Sequence, residues 1–208
     1  MIAAISLMRQ RDDVTLTTFR RHWLDVHGPL VCKFPGLQRY VQHHVIASPA
    51  MNLLARDMQI EGFPILFFDN DEARLRAHQS PEMGACNVDS RSFIGAVSRV
   101  ICEPHIVLPA PDTARMKLIV LLPGPKTEEG DLKHCGRWAS GLPRLKGLTL
   151  YGVLQQGAAP NSTIPHLPVH VAGIAELAFD SLIDLECAAA DHTDTSAAHF
   201  AVEEHRLV

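Results

Sequence analysis

His27 stands four residues after Trp23, a spacing that projects an imidazole and an indole from one side of a helix. An imidazole titrates near neutral pH, and partial burial beside an aromatic ring tunes it to accept a proton. His27 is therefore the leading candidate for a general base. The position equally suits a structural histidine bonded to the loop after Gly28-Pro29, and the residues alone leave both roles open. His22 lies one step round the helix, where half exposure is expected. Phe19 and Trp23 would supply apolar contacts to a substrate. Further along, Tyr40, Gln42 and His44 alternate with Arg39, Val41, His43 and Val45, so the two sets face opposite sides of a strand. If the first set lines a cavity beneath the helices, Tyr40 and His44 can hold an enol or phenol oxygen while His27 moves a proton, with Gln42 also touching substrate. Otherwise the row is an internal hydrogen-bond network.

Other chemistries find less support. The chain has 12 histidines, yet none forms a His-x-x-x-His pair on a helix beside an acid. The adjacent His43 and His44 point apart, so no metal site is expected. No glycine-rich nucleotide or flavin fingerprint occurs, and no cofactor is expected. Five cysteines, Cys32, Cys86, Cys102, Cys135 and Cys187, are odd in number and far apart. They suit a reducing compartment and buried, unreactive thiols.

The elements that must position these residues follow from an internal repeat. Gly62 to Asp69 (GFPILFFD) and Gly173 to Asp180 (GIAELAFD) are one segment written twice, 111 positions apart. The same offset matches Gly36-Leu37 to Gly147-Leu148 and Tyr40 to Tyr151. Near the start an offset of 114 matches Ile5 to Ile119 and Leu7 to Leu121; near the end 107 matches Phe93 to Phe200 and Arg99 to Arg206. Loop insertions produce such drifts. Each copy reads β-α-β-β-α-β, with Thr15 capping a helix whose apolar residues Leu16, Phe19, Trp23, Val26 and Leu30 recur every three or four positions. Pro35-Gly36 ends that helix, Asn70 and Ser181 open the second helical stretches, and Ser181-x-x-Asp184 forms a capping box. Strands are expected over 2–8, 37–46, 62–68 and 98–108. The last strand of the second copy is expected to be short, around residues 205–208.

The predicted class is α+β: two tandem ferredoxin-like βαββαβ repeats, residues 1–108 and 116–208, joined by a linker at 109–115. Each antiparallel sheet has one face under helices and one face still to cover. Two such sheets facing each other form a barrel, within the chain or between two chains. A net charge of −4 with scattered signs argues against nucleic acid as a partner. Apolar runs are strand-sized and no leader pattern is present, so no membrane partner and a cytoplasmic location are expected. Asn161-Ser162-Thr163 fits a glycosylation sequon, which without export is a polar loop.

Two stretches carry a family resemblance. The first is Phe19-Arg20-Arg21-His22-Trp23-Leu24-Asp25-Val26-His27-Gly28-Pro29-Leu30, followed by Pro35-Gly36-Leu37-Gln38-Arg39-Tyr40. With Ser80-Pro81-Glu82, Asp89-x-x-x-Phe93 and Val100-Ile101-Cys102-Glu103 in order behind it, the first half resembles the EthD domain. The resemblance implies the dimeric α+β barrel fold. It also implies a choice of activities: accessory proteins of ether degradation, lactone isomerases, polyketide-tailoring decarboxylases or dehydratases, and in the wider superfamily cofactor-free monooxygenases and haem enzymes. The leading expectation is a cofactor-independent isomerase or lyase acting on a small apolar ring compound or lactone. The alternatives are a non-catalytic accessory or binding protein and a cofactor-free monooxygenase. Asp69, Asp89 and Glu103 fall on positions of the family pattern and are expected to be strand-end, capping or pairing residues. The second half lacks the Trp-x-x-x-His-Gly-Pro element, since Cys135-Gly136-Arg137-Trp138 runs almost directly into Pro143. Only the first half is expected to hold a site.

Overall fold

The computed structural model describes residues 1–124, 129–157, 163–190 and 196–208, so Asn161 and Ser162 of the sequon lie outside the described residues. The strands are β1 (Ile2–Gln10), β2 (Leu37–Val45), β3 (Gly62–Phe68), β4 (Ile94–Leu108), β5 (Met116–Pro123), β6 (Gly147–Gly157), β7 (Val171–Phe179) and β8 (Ala198–Arg206). Their order is β1-β3-β2-β8-β5-β7-β6-β4, and β4 closes back onto β1. Each half contributes a four-stranded antiparallel sheet, and the seams are β2 with β8 and β4 with β6. The barrel is therefore completed within one chain.

Helices cover the outside. In the first half these are α1 (Leu16–His22), a π turn (Trp23–His27), α2 (Gly28–Val31), α3 (Leu53–Met58), α4 (Asp71–His78) and α5 (Pro81–Ser90); in the second, α6 (Glu129–Ser140) and α7 (Leu182–Ala190). Caps fix the starts: Thr15 accepts from the Thr18 amide, Asn70 from Ala73 and Ser80 from Met83. The second helical stretch of the first half splits in two because Pro81 restricts the residue before it and begins a new helix at Ser80. No helix among the described residues is long and apolar enough to cross a membrane.

Alternation along the strands divides the apolar residues into two layers. Ile5, Phe63, Ile65, Phe67, Val100, Ile119, Ile174 and Phe200 fill the barrel interior. Leu118, Val120, Leu148, Leu150, Leu177 and Phe179 face outward under α6 and α7.

The strand pairing corrects three sequence expectations. First, β8 begins at Ala198, well before residue 205. It is no edge, because it must bridge β5 and β2 to close the barrel. Second, Phe200 pairs with Ile119 as Val100 pairs with Ile5, so Phe200 corresponds to Val100 and not to Phe93. Third, Tyr40 pairs with Leu66, whereas the partner of the equivalent Leu177 is Leu148. Tyr151 corresponds instead to His43 and points into the barrel. A shift by an odd number of residues moves a side chain to the other face, which the sequence match of two tyrosines could not reveal.

Candidate active site

The first helix continues past Gly28-Pro29. It passes through a π turn, in which the Gly28 amide bonds to the Trp23 carbonyl, and then resumes as α2 with Pro29 in its first turn. Proline is tolerated there because a first-turn amide needs no helical partner. Gly28 is required by packing: a Cβ would lie 2.4 Å from Leu207 and 3.1 Å from Gln42. Single π turns recur at functional sites, and this one carries Trp23 at its start and His27 at its end.

Both residues line a cavity of about 130 Å³ between the helices and the outer face of the first sheet. Its floor comes from Ala4, Ser6 and Met8 of β1, Tyr40 of β2, Pro64 and Leu66 of β3, and Val97, Arg99 and Ile101 of β4. Val31, Arg74, His78, Met83, Cys86 and Asn87 close it from the helices. Gln155, Gln156 and Ile164 of the second half complete the rim.

Asp89, on α5, determines the state of His27. One carboxylate oxygen lies 2.8 Å from His27 Nδ1 and the other 2.8 Å from His22 Nε2. A carboxylate at Nδ1 selects the tautomer with its proton on that nitrogen, which leaves the lone pair on Nε2. Phe93 packs against both imidazoles, with ring centroids 5.1 Å from His27 and 4.9 Å from His22. Burial drives the His27 pKa below its ordinary value, Asp89 opposes that shift, and the charges of His22 and Arg99 add to it. His27 is thus a neutral, oriented imidazole at pH 7. The sequence leaves Asp89 a strand-end, capping or pairing residue; in the structure its partners are His22 and the candidate base. The pairing joins residues 62 positions apart, beyond the reach of local spacing.

Tyr40 is buried, and its hydroxyl accepts from Trp23 Nε1 at 3.0 Å and from Gln42 Nε2 at 2.9 Å. Two accepted bonds leave its own O–H as the remaining group to donate to a ligand, and they strengthen that donor. Burial raises the Tyr40 pKa far above the ordinary value, with Gln42 and Trp23 opposing, so the phenol stays protonated.

Gln42, His44 and Phe19 stand behind this wall and do not line the cavity. Gln42 also donates to the Trp23 carbonyl and accepts from His44 Nε2, both at 2.9 Å. His44 stacks on the far side of Trp23, centroids 4.4 Å apart and planes within 4°. Burial first, then His205, Arg20 and His43, push its pKa down to about 3. Phe19 packs on Trp23 and Phe93. The Cys86 thiol is pushed up to about 12, by burial and then by Asp89, which makes it a poor nucleophile.

The opposite face of β2 has its own polar cluster inside the barrel. His43 Nε2 lies 3.5 Å from Glu204 and 3.9 Å from Glu176, and these three residues could present ligand atoms to a metal ion. Lys117 Nζ, however, lies 3.6 Å from Glu176 and 3.5 Å from Glu204, so an ammonium already sits between the two carboxylates. Tyr151 donates to Glu176 at 2.9 Å and Arg206 to Glu204 at 2.6 Å. Burial would raise the Glu204 pKa, but His43, Lys117 and Arg206 outweigh it and hold the carboxyl well below its usual range. The residues come from five strands, and no spacing in the sequence predicts their meeting.

Comparison with known proteins bears on the family and the fold. Residues 11–96 match the EthD domain. That span contains Trp23, His27, Tyr40 and Asp89. No curated protein matches the chain. Among solved structures, an anthrone oxidase-like protein shares the fold with a TM-score of 0.63 at 10% identity, over 99% of this chain and 92% of that one. A monooxygenase-like protein from Lactobacillus acidophilus NCFM aligns with a TM-score of 0.55 at 10% identity, over 100% of this chain and 95% of its own. An EthD family protein from Bacillus halodurans C-125 is 25% identical over 50% of this chain and 97% of its own, with a TM-score of 0.42. Residues 11–96 are thus similar to the EthD domain, and the whole chain shares the α+β barrel fold of the anthrone oxidase-like structure.

Proposed function

We propose that the protein catalyses cofactor-independent proton transfer on a small ring compound, as in isomerisation, dehydration or decarboxylation of a lactone or related enolisable ring. The observation that carries this reading is the His27–Asp89 pair on the wall of a cavity that Tyr40 also faces. His27 Nε2 takes the proton from an acidic C–H. The Tyr40 hydroxyl donates to the oxygen on which enolate charge develops. Asp89 steadies the imidazolium that forms, and the proton returns from His27 at a different atom of the product. A cavity of about 130 Å³ is close to the ~150 Å³ that accepts benzene in a protein core, which fits a single ring.

The test measures deuterium incorporation and isomerisation of a β,γ-unsaturated five-membered lactone in D2O by NMR. Wild-type protein should accelerate exchange, and His27→Gln should lose at least about a hundredfold of that acceleration. If such lactones and simple ring ketones bind but exchange no faster than in buffer, the cavity serves a binding protein and this reading fails.

A further inference from the structure

We infer that the compound taken by this cavity is an anion, a single-ring carboxylate whose carboxylate pairs with Arg99; the inference rests on the reading of the cavity as a ligand site. Arg99 is on β4, beside Ser6 of β1 across the ladder, and both line the cavity with His27 and Tyr40. Among the described residues no acceptor bonds to its guanidinium and no carboxylate pairs with it. The neighbouring Arg74, buried and also lining the cavity, differs in this respect, because Asp71 binds its Nε at 2.6 Å. A half-buried guanidinium with no counter-charge among Val97, Ile101, Leu66 and Met83 is costly. Burial disfavours its charged form, Cys86 opposes that shift, and the nearby charge of Arg74 adds to it.

An arriving carboxylate reverses that situation. The planar fork of a guanidinium matches the two oxygens of a carboxylate, and pairing inside an apolar cavity is stronger than in water. Two other cavity residues conform. His78 is held neutral, its pKa pushed down to about 4 by burial and by Arg99 and Arg74, so it adds no competing charge. Asp89, the carboxylate beside the base, is occupied by His22 and His27. The negative group of the ligand therefore goes to Arg99, and the ring lies towards His27 and Tyr40.

The experiment is calorimetry of the full chain with benzoate, and with benzamide as the neutral isostere, at pH 7 and low salt. Benzoate should bind one site per chain at least tenfold more tightly than benzamide, and added salt should weaken only benzoate. Arg99→Met keeps much of the side-chain length without charge, and should abolish the preference for benzoate. Arg99→Lys should restore part of it, which excludes loss of folding as the cause. Equal binding of the two probes, no binding of benzoate by the wild type, or an Arg99→Met protein that still prefers benzoate would each overturn the inference. The catalytic reading is tested separately, by deuterium exchange: carboxylate selection without exchange overturns that reading alone, and exchange of neutral lactones without carboxylate preference overturns this one alone.

Discussion

The outer faces of the two half-sheets are built on the same strands and filled by opposite means. In the first half the outward row of β2 is Tyr40, Gln42 and His44; the pairing register places Leu148, Leu150 and Gly152 at the equivalent points of β6. Above the first row stand a π turn, two histidines and an aspartate around a cavity. Above the second, α6 and α7 pack leucine and alanine onto an apolar layer that includes Leu118, Val120, Leu177 and Phe179. The fold needs only apolar cover on that face, and the polar row of the first half is where the proposed chemistry would sit. The second half closes the barrel that the first half alone would leave open.

This contrast is testable by substitution, beginning with the largest effect. With a lactone substrate in hand, His27→Gln should lower turnover by about a hundredfold to ten-thousandfold with little change in stability. Its pH–rate profile should lose an ionisation in the histidine range. Leu148→Ala, in the second half, should do the reverse. Thermal or denaturant unfolding should show a loss of roughly 2–5 kcal/mol, while ligand affinity in the first half stays the same. A rate effect from Leu148→Ala, or a mainly stability effect from His27→Gln, would erase the distinction between the halves.

Tyr40→Phe should cost about a hundredfold to a thousandfold in rate, the scale for one lost oxyanion donor, with the His27 ionisation still present. Tyr151→Phe should not alter rate, and should destabilise by about 1–3 kcal/mol because Glu176 loses a buried donor.

The smallest effect concerns acid stability. Burial depresses His44 to about 3 and His78 to about 4, both below the ordinary ~6.5. As pH falls below that ordinary value the unfolded chain takes up protons that the folded chain refuses, so stability should decline from about pH 6.5 down towards pH 3. His44→Phe should keep the stacking on Trp23 and reduce the slope in that window by at most ~1.4 kcal/mol per pH unit. An unchanged slope would mean that His44 is protonated in the folded protein.

Much of the architecture is legible in the residues, because it follows from periodicity. The caps at Thr15 and Asn70, the alternation of β2 and the repeated Gly62 and Gly173 strands depend on neighbours in sequence. What depends on strand register is not legible. Tyr40 and Tyr151 look equivalent in a linear match, yet an odd shift puts one under the helices and the other inside the barrel. Within the site, His27 and Trp23 are found from helical spacing, and Tyr40 from strand alternation. His44 shares the face of Tyr40 but lies two outward positions further along the strand, where it stacks on the indole whose Nε1 bonds to Tyr40. Asp89 and Arg99 come from elements distant in sequence from the first helix and β2, and the fold brings Asp89 to His27 and Arg99 to the cavity.

The central claim is that His27 is a neutral imidazole, held by Asp89 with its free nitrogen towards the cavity of the first half. Long-range proton–nitrogen NMR of the histidine side chains tests it without any substrate. The account predicts that at pH 7 His27 carries its proton on Nδ1, that it titrates below the ordinary histidine value, and that Asp89→Asn moves this pKa lower still. A His27 that is doubly protonated at pH 7, or that carries its proton on Nε2, would contradict it.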